Sequence, residues 1–164
     1  MKNRAYLLLP IALIIAVAAY LLFADTSKPA PTVSFTTLQG TESNLTAYRG
    51  KVVLVNFWAT TCPGCVEEMN NLGKLQNQFS NKGYVTLSVA MAYDPPEYLA
   101  NFLKTQPMPF IVTHDLNGAV AKAFGDVQLT PTSFLIDKNG KIVKQYIGAI
   151  DEAHVQEDIS KLLV

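Results

Sequence analysis

Cys62 and Cys65 are the only cysteines in a chain of 164 residues, and two residues separate them. A pair so spaced can close into a disulfide and reopen into two thiols, so the chemistry it offers is thiol–disulfide exchange. The attacking species is the thiolate, and whatever stabilises that anion sets the reactivity. The run Val52-Val53-Leu54-Val55-Asn56-Phe57-Trp58-Ala59-Thr60-Thr61-Cys62-Pro63-Gly64-Cys65 reads as a buried strand, a turn and the start of a helix. Cys62 then falls in or beside the N-cap, where free backbone N–H groups and the helix dipole favour an anion. Cysteines so placed have pKa values lowered to about 3.5–7.5. Cys62 is the expected nucleophile, and Cys65, one turn in, the expected resolving thiol. A structural disulfide competes, but so short a loop gains little chain-entropy stabilisation. A metal site also competes, yet it would normally take four ligands, and no second Cys pair or nearby His accompanies this one. No metal is expected, and no cofactor other than a redox-active Cys62–Cys65 disulfide.

The elements that must position this pair follow from periodicity. Residues 52–58 are apolar on both faces except for Asn56, which suits a strand covered on both sides. Pro63 fits the first helical position. Cys65, Met69, Leu72, Leu75 and Phe79 recur at helical spacing, Glu67 and Glu68 sit near the positive end of the dipole, and Lys82-Gly83 ends the helix. Before this unit, residues 33–45 suggest a short hairpin turning at Gln39-Gly40-Thr41, and Tyr48-Arg49-Gly50-Lys51 a turn into the strand. After it come a second apolar strand over 84–90 and a helix opened by Asp94-Pro95-Pro96-Glu97, with Asp94 as cap. That helix should bury Leu99, Phe102 and Leu103. A short strand is expected over 110–112 and a short helix over 117–124, capped by Asp115 or Asn117. Two strands over 132–136 and 141–147 join at Asp137-Lys138-Asn139-Gly140, and an amphipathic helix closes the chain over 151–163. Strands alternating with helices, then a closing hairpin and helix, imply an α/β sandwich with a mixed sheet.

The N-terminus adds a second part. Lys2 and Arg4 precede residues 5–24, which carry no charge. Twenty helical residues span about 30 Å, the thickness of a bilayer's hydrocarbon core. A cleaved signal peptide would have a shorter apolar region and a small-x-small cleavage site; here Leu22-Phe23-Ala24 puts a large residue at the −3 position. An uncleaved signal-anchor over 1–24 is favoured, with a Pro-containing polar linker over 25–32 and the folded domain over 33–164. Lys2 and Arg4 then lie on the cytoplasmic side and the domain faces outward. In a bacterium that puts it in the periplasm or extracytoplasmic space, tethered to the cytoplasmic membrane, where disulfide chemistry proceeds. With 13 basic and 13 acidic residues and no basic tract beyond the first four positions, nucleic-acid binding has no electrostatic support.

A second motif lies about 65 residues after the cysteines. Leu129-Thr130-Pro131-Thr132 puts a proline at the entry to a strand, where it is either a cis bond kept for tight local geometry or an ordinary strand-start proline. The segment 56–65, followed by Thr130-Pro131-Thr132, resembles the thioredoxin superfamily. It is closest to its membrane-anchored TlpA/ResA/CcmG branch, to which the anchor, the leading hairpin, the inserted segment 94–124 and the ending Phe134-Leu135-Ile136-Asp137-Lys138-Asn139-Gly140 are also similar. The resemblance implies a thioredoxin-like three-layer sandwich with a mixed central sheet, an N-terminal hairpin and a central insertion, preceded by one transmembrane helix. It implies that Pro131 is a cis-proline beside the cysteines, that the backbone of Thr130 pairs with a partner peptide, and that Trp58 packs beneath the motif. Glu68 matches an acidic residue that modulates the thiols in some members; a surface Glu helping the helix dipole is the other reading.

Thr61 stands where Trp commonly precedes the first cysteine, and Asn56 where thioredoxin has a buried Asp. Pro63 and Gly64 put no His between the cysteines, which tilts the expectation towards a reductant. The resemblance implies a membrane-tethered thiol–disulfide oxidoreductase acting on extracytoplasmic protein thiols and disulfides, among them the haem-attachment Cys pair of apocytochrome c. A membrane thiol donor would re-reduce it. The alternatives are an oxidase or isomerase in disulfide formation, a thiol peroxidase and a metal-delivery module. A peroxidase would need Pro and Thr where Val55 and Ala59 stand, and Sco-type metal delivery uses a three-residue spacer. His114 and His154 lie far from the pair in sequence and offer weaker sites.

Overall fold

A computed structural model describes Leu13 and residues 27–164. The expected signal-anchor, residues 1–24, lies outside the described residues apart from Leu13. Among the described residues no helix is long and apolar enough to cross a membrane.

In chain order the elements are β1 (Lys28–Pro29), β2 (Ser34–Thr36), β3 (Glu42–Asn44), a 3-10 turn (Leu45–Tyr48), β4 (Val52–Trp58), α1 (Pro63–Phe79), β5 (Tyr84–Ala90), α2 (Pro96–Thr105), β6 (Ile111–His114), α3 (Ala119–Ala123), β7 (Thr132–Ile136), β8 (Lys141–Ile147) and α4 (Glu152–Leu163). The main sheet has the order β1-β8-β7-β4-β5-β6, and β2-β3 form a separate hairpin. β4 runs parallel to β5, and β5 to β6, while β7 and β8 join antiparallel on the other side. The sheet is therefore mixed, and β4 is central.

Alternation along β4 divides the interior into two cores. Val52, Leu54 and Trp58 face one layer with Cys65, Met69, Leu72, Leu75 and Phe79 of α1, Leu99 of α2, and Val155 and Ile159 of α4. Val53, Val55 and Phe57 face the other, with Phe35, Leu45, Phe124, Phe134 and Ile136. Every β4 side chain is buried. Burying each Val, Leu or Phe contributes about 1.5–3 kcal/mol, so packing on both faces holds this strand. The Phe57 ring meets Phe124 edge-on at 5.4 Å and Phe134 at 6.0 Å. The result is the three-layer thioredoxin-like α/β sandwich, with β4 delivering its C-terminal end to the start of α1.

Some local expectations change. The segment 25–32, expected to be a linker, contributes β1: Lys28 and Pro29 pair with Ile142 and Lys141 at the sheet edge. A proline is tolerated there because an edge strand can spare a donor. Asp94 does not cap α2. Pro95 takes that position without a side-chain bond, and the Asp94 carboxyl is used elsewhere. In α2 only Leu99 is fully buried; Phe102 and Leu103 are half-buried against the core. α3 is shorter than expected, and its N-cap is Gly118 rather than Asp115 or Asn117; the two side chains still take its first N–H groups, Asp115 accepting from Val120 N and Ala121 N, and Asn117 from Ala119 N.

Candidate active site

Cys62 is the N-cap of α1 and Pro63 its first residue. The two cysteines are joined as a disulfide with Cα atoms 5.3 Å apart. Cys65 is fully buried, whereas Cys62 is half-buried at the surface. The backbone N–H of Cys65 donates to Cys62 Sγ at 3.3 Å. That is the contact a thiolate needs: an oriented amide at the positive end of a 17-residue helix favours negative charge on Cys62 once the disulfide opens. The asymmetry also separates roles, since only Cys62 can meet an incoming sulfur.

The opposite wall is the loop before β7. The Thr130–Pro131 peptide bond is cis, and the Thr130 carbonyl oxygen lies 3.8 Å from Cys62 Sγ. The Pro131 carbonyl accepts from Gly148 N at 2.8 Å, and Thr132 Oγ1 donates to Leu129 O at 2.8 Å. Tyr93, exposed on the loop after β5, is 3.0 Å from Thr130 through their hydroxyls. Trp58 is fully buried in the core that contains Cys65 and underlies Cys62, its ring 5.2 Å from that of Phe102.

Glu68 is not the surface residue of one of its two readings. Only 3% of it is exposed. Asn56 Nδ2 donates to Oε1 at 3.0 Å, and Ile150 N donates to Oε2 at 3.2 Å. Burial pushes its carboxyl up from 4.5 to about 7, partly offset by the Ile150 bond. The dipole argument fails for Glu67 and Glu68 alike, because the first turn of α1 holds no acidic residue and both carboxylates fall in the second, where the dipole has faded. The helical period offered a signal: Glu68 falls between Cys65 and the buried pair Met69 and Leu72, on the inner face.

Asn56 and Ser133 complete this polar centre. They are register partners on β4 and β7, and Asn56 Nδ2 also donates to Ser133 Oγ at 3.0 Å. A polar residue in an otherwise apolar strand could have signalled a buried partner. Asp94, expected only as a helix cap, and Thr60, which had no expected role, are joined here: both carboxyl oxygens of Asp94 accept from Thr60.

The two histidines do not join the site. His114 ends β6 half-buried, and the carboxyl of its neighbour Asp115 accepts from Val120 N and Ala121 N. His154 is exposed on α4 with Nδ1 3.7 Å from Asp151. Among the described residues no group of three or more His, Cys, Asp or Glu could hold a metal ion.

The chain matches the Redoxin family profile over residues 25–162. It is 33% identical over 138 residues to thiol-disulfide oxidoreductase ResA of Bacillus thuringiensis subsp. konkukian, covering 84% of this chain and 79% of that protein. It is 32% identical over 159 residues to ResA of Geobacillus thermodenitrificans, covering 92% and 90%. Among solved structures, a thiol:disulfide interchange protein of the thioredoxin family from Chlorobium tepidum TLS superposes with a TM-score of 0.77 at 26% identity, covering 85% of this chain and 99% of that one.

Proposed function

Because the chain belongs to the redoxin family and is a thiol–disulfide oxidoreductase, we propose that it works as a membrane-tethered reductase of extracytoplasmic protein disulfides. The observation that carries the reading is the Cys62 sulfur, partly exposed on the N-cap, with the Cys65 N–H at 3.3 Å on one side and the Thr130 carbonyl at 3.8 Å on the other.

In the reducing direction the Cys62 thiolate attacks one sulfur of a substrate disulfide. A Cys62–substrate disulfide forms, and the displaced substrate sulfur leaves as a thiolate that takes a proton from water. Cys65 then gives up its proton, with the buried Glu68 carboxylate as acceptor, and attacks Cys62 Sγ. The Cys62–Cys65 bond forms, and the second substrate sulfur leaves as a thiolate that takes up the proton held by Glu68. Two electrons and two protons have passed to the substrate, and a membrane dithiol donor restores the pair. The backbone of Thr130 holds the substrate segment as a short added strand, and Trp58 supports the motif from below. Pro63 and Gly64 place no cation beside the thiolate, which supports the reducing direction. The uncharged residues 5–24 after Lys2 and Arg4 support the tether, and the exchange domain takes in β1 at Lys28–Pro29 as the edge of its sheet. Apocytochrome c, with its pair of haem-attachment cysteines, is the proposed substrate class.

Equilibrating the protein in glutathione and dithiothreitol buffers measures its potential. A value close to about −270 mV fits a reductase, and one near −120 mV overturns that direction. Exchange activity retained in Cys62→Ser would overturn the mechanism itself.

A further inference from the structure

The turn that carries β4 into α1 is held by a side chain from outside it. Asp94, 1% exposed, accepts from Thr60 N on Oδ2 at 2.9 Å and from Thr60 Oγ1 on Oδ1 at 2.6 Å. Both oxygens therefore converge on one residue, two positions before Cys62. The backbone around them is tied as well. Met91 N donates to Trp58 O at 2.9 Å, Asp94 N to Met91 O at 2.9 Å, and Cys62 N to Ala59 O at 3.1 Å. Pro95 and Pro96 follow, and proline restricts both its own φ and the residue before it. Asp94 is thus presented by a stiff segment. It does nothing for α2, whose N-cap is Pro95.

We propose that Asp94 is a positioning residue for thiol–disulfide exchange, clamping Thr60 so that the turn delivers Cys62 Sγ onto the helix N-cap. The inference rests on Cys62 being the nucleophile. The sulfur sits 3.3 Å from the Cys65 N–H, a contact sensitive to sub-ångström shifts of the turn. Without the clamp, Thr60 loses an anchored N–H and an anchored hydroxyl together. Cys62 then samples positions in which its thiolate is less stabilised and its approach along Thr130 less well aimed.

The test uses the full chain and three readouts: exchange rate with a small aromatic disulfide, the pH midpoint of Cys62 alkylation, and the thermal midpoint. Asp94→Ala is expected to slow exchange about tenfold or more, the scale on which small misplacements act. Thr60→Val keeps the Asp94 carboxyl and removes only the hydroxyl. It is expected to slow exchange less and to move the alkylation midpoint upward, while Thr60→Ser restores both. The Asp94→Ala, Thr60→Val double variant should be no slower than Asp94→Ala alone, because the two sites share one interaction. Wild-type rate in folded Asp94→Ala overturns the proposal. So does a lowered thermal midpoint with exchange rate and alkylation profile unchanged. If Asp94→Ala does not fold, the Thr60→Val and Thr60→Ser pair decides. Cys62→Ser, run beside them, tests the nucleophile separately: exchange retained there sinks the functional reading, whereas exchange lost there with Asp94→Ala unaffected sinks only the role of Asp94.

Discussion

Asn56 on β4 donates a 3.0 Å hydrogen bond to Glu68 on α1, the helix that begins with the two cysteines. Asn56 is fully buried, and so, within 3%, is Glu68. A neutral donor from the central strand thus holds an ionisable carboxyl in the apolar layer beneath the thiol pair. Desolvation raises the Glu68 pKa to about 7, and the Ile150 N–H offsets only part of that rise. A carboxyl poised near neutrality can both hold and accept a proton at working pH.

That shift makes stability depend on pH. Folded Glu68 keeps its proton up to about pH 7, while in the unfolded chain it ionises near its ordinary 4.5. Between those values the unfolded state binds fewer protons, so stability falls as pH rises, by up to about 1.4 kcal/mol per pH unit. The contribution is fully present below about 4.5 and lost once pH passes about 7. Urea unfolding of the oxidised protein across this window should show the slope, and Glu68→Gln should abolish it. Parallel curves for the two proteins would refute the raised pKa. Working with the disulfide closed keeps thiol titration out of the measurement.

Glu68 and Cys65 lie one turn apart on the same buried face of α1, so Glu68 is placed to serve the second exchange step. Glu68→Gln should leave alkylation of Cys62 near the wild-type rate and slow resolution of the mixed disulfide by about a hundredfold, within the range for losing a general base. Rapid-quench trapping with a chromogenic disulfide would resolve the two steps. If both slow equally, Glu68 shapes the helix rather than receiving the Cys65 proton.

Burial sets which sulfur meets the partner. In the reduced protein, iodoacetamide should modify half-buried Cys62 at least about tenfold faster than fully buried Cys65, since access and thiolate character both favour it. Peptide mass spectrometry after brief alkylation reads the ratio. In Cys65→Ser, Cys62 should remain in mixed disulfides with its partner proteins, and a variant that accumulates none would argue against the assigned order of attack.

The features legible in the sequence are those written in local pattern. The apolar run of β4, the helical spacing of Cys65, Met69, Leu72, Leu75 and Phe79, and the Asp137–Gly140 turn each depend on neighbours a few residues away, and each element stands where expected. Pro131 was readable only through resemblance, because an isolated strand-start proline is ambiguous, and the bond is cis. Long-range pairings were hidden. Asp94-Pro95-Pro96-Glu97 has the form of a helix cap, yet the carboxyl reaches back 34 residues to Thr60. Lys28 and Pro29 look like linker, and their partners are Ile142 and Lys141 of β8, far along the chain. Asn56 stood out as a departure from thioredoxin, but its bonds to Glu68 and Ser133 follow from β4–β7 register and the packing of α1, which no local window contains.

The polar centre should tolerate shape without donors poorly, and a second acid worse. Asn56→Leu leaves Glu68 Oε1 and Ser133 Oγ without their shared donor, which costs about 1–3 kcal/mol for each buried group left unpaired, at acid and neutral pH alike. Asn56→Asp instead places a second carboxyl about 3 Å from Glu68. Two buried carboxylates at that distance do not both ionise readily, so the pair retains a proton that can rebuild the bond at low pH. Stability should then approach that of the wild type below about pH 4.5 and fall several kcal/mol further as rising pH strips the shared proton. Unfolding curves of the two oxidised variants across pH separate these outcomes. Coincident, pH-independent losses would mean that Asn56 acts through volume alone and that the hydrogen bond to Glu68 adds nothing to the fold.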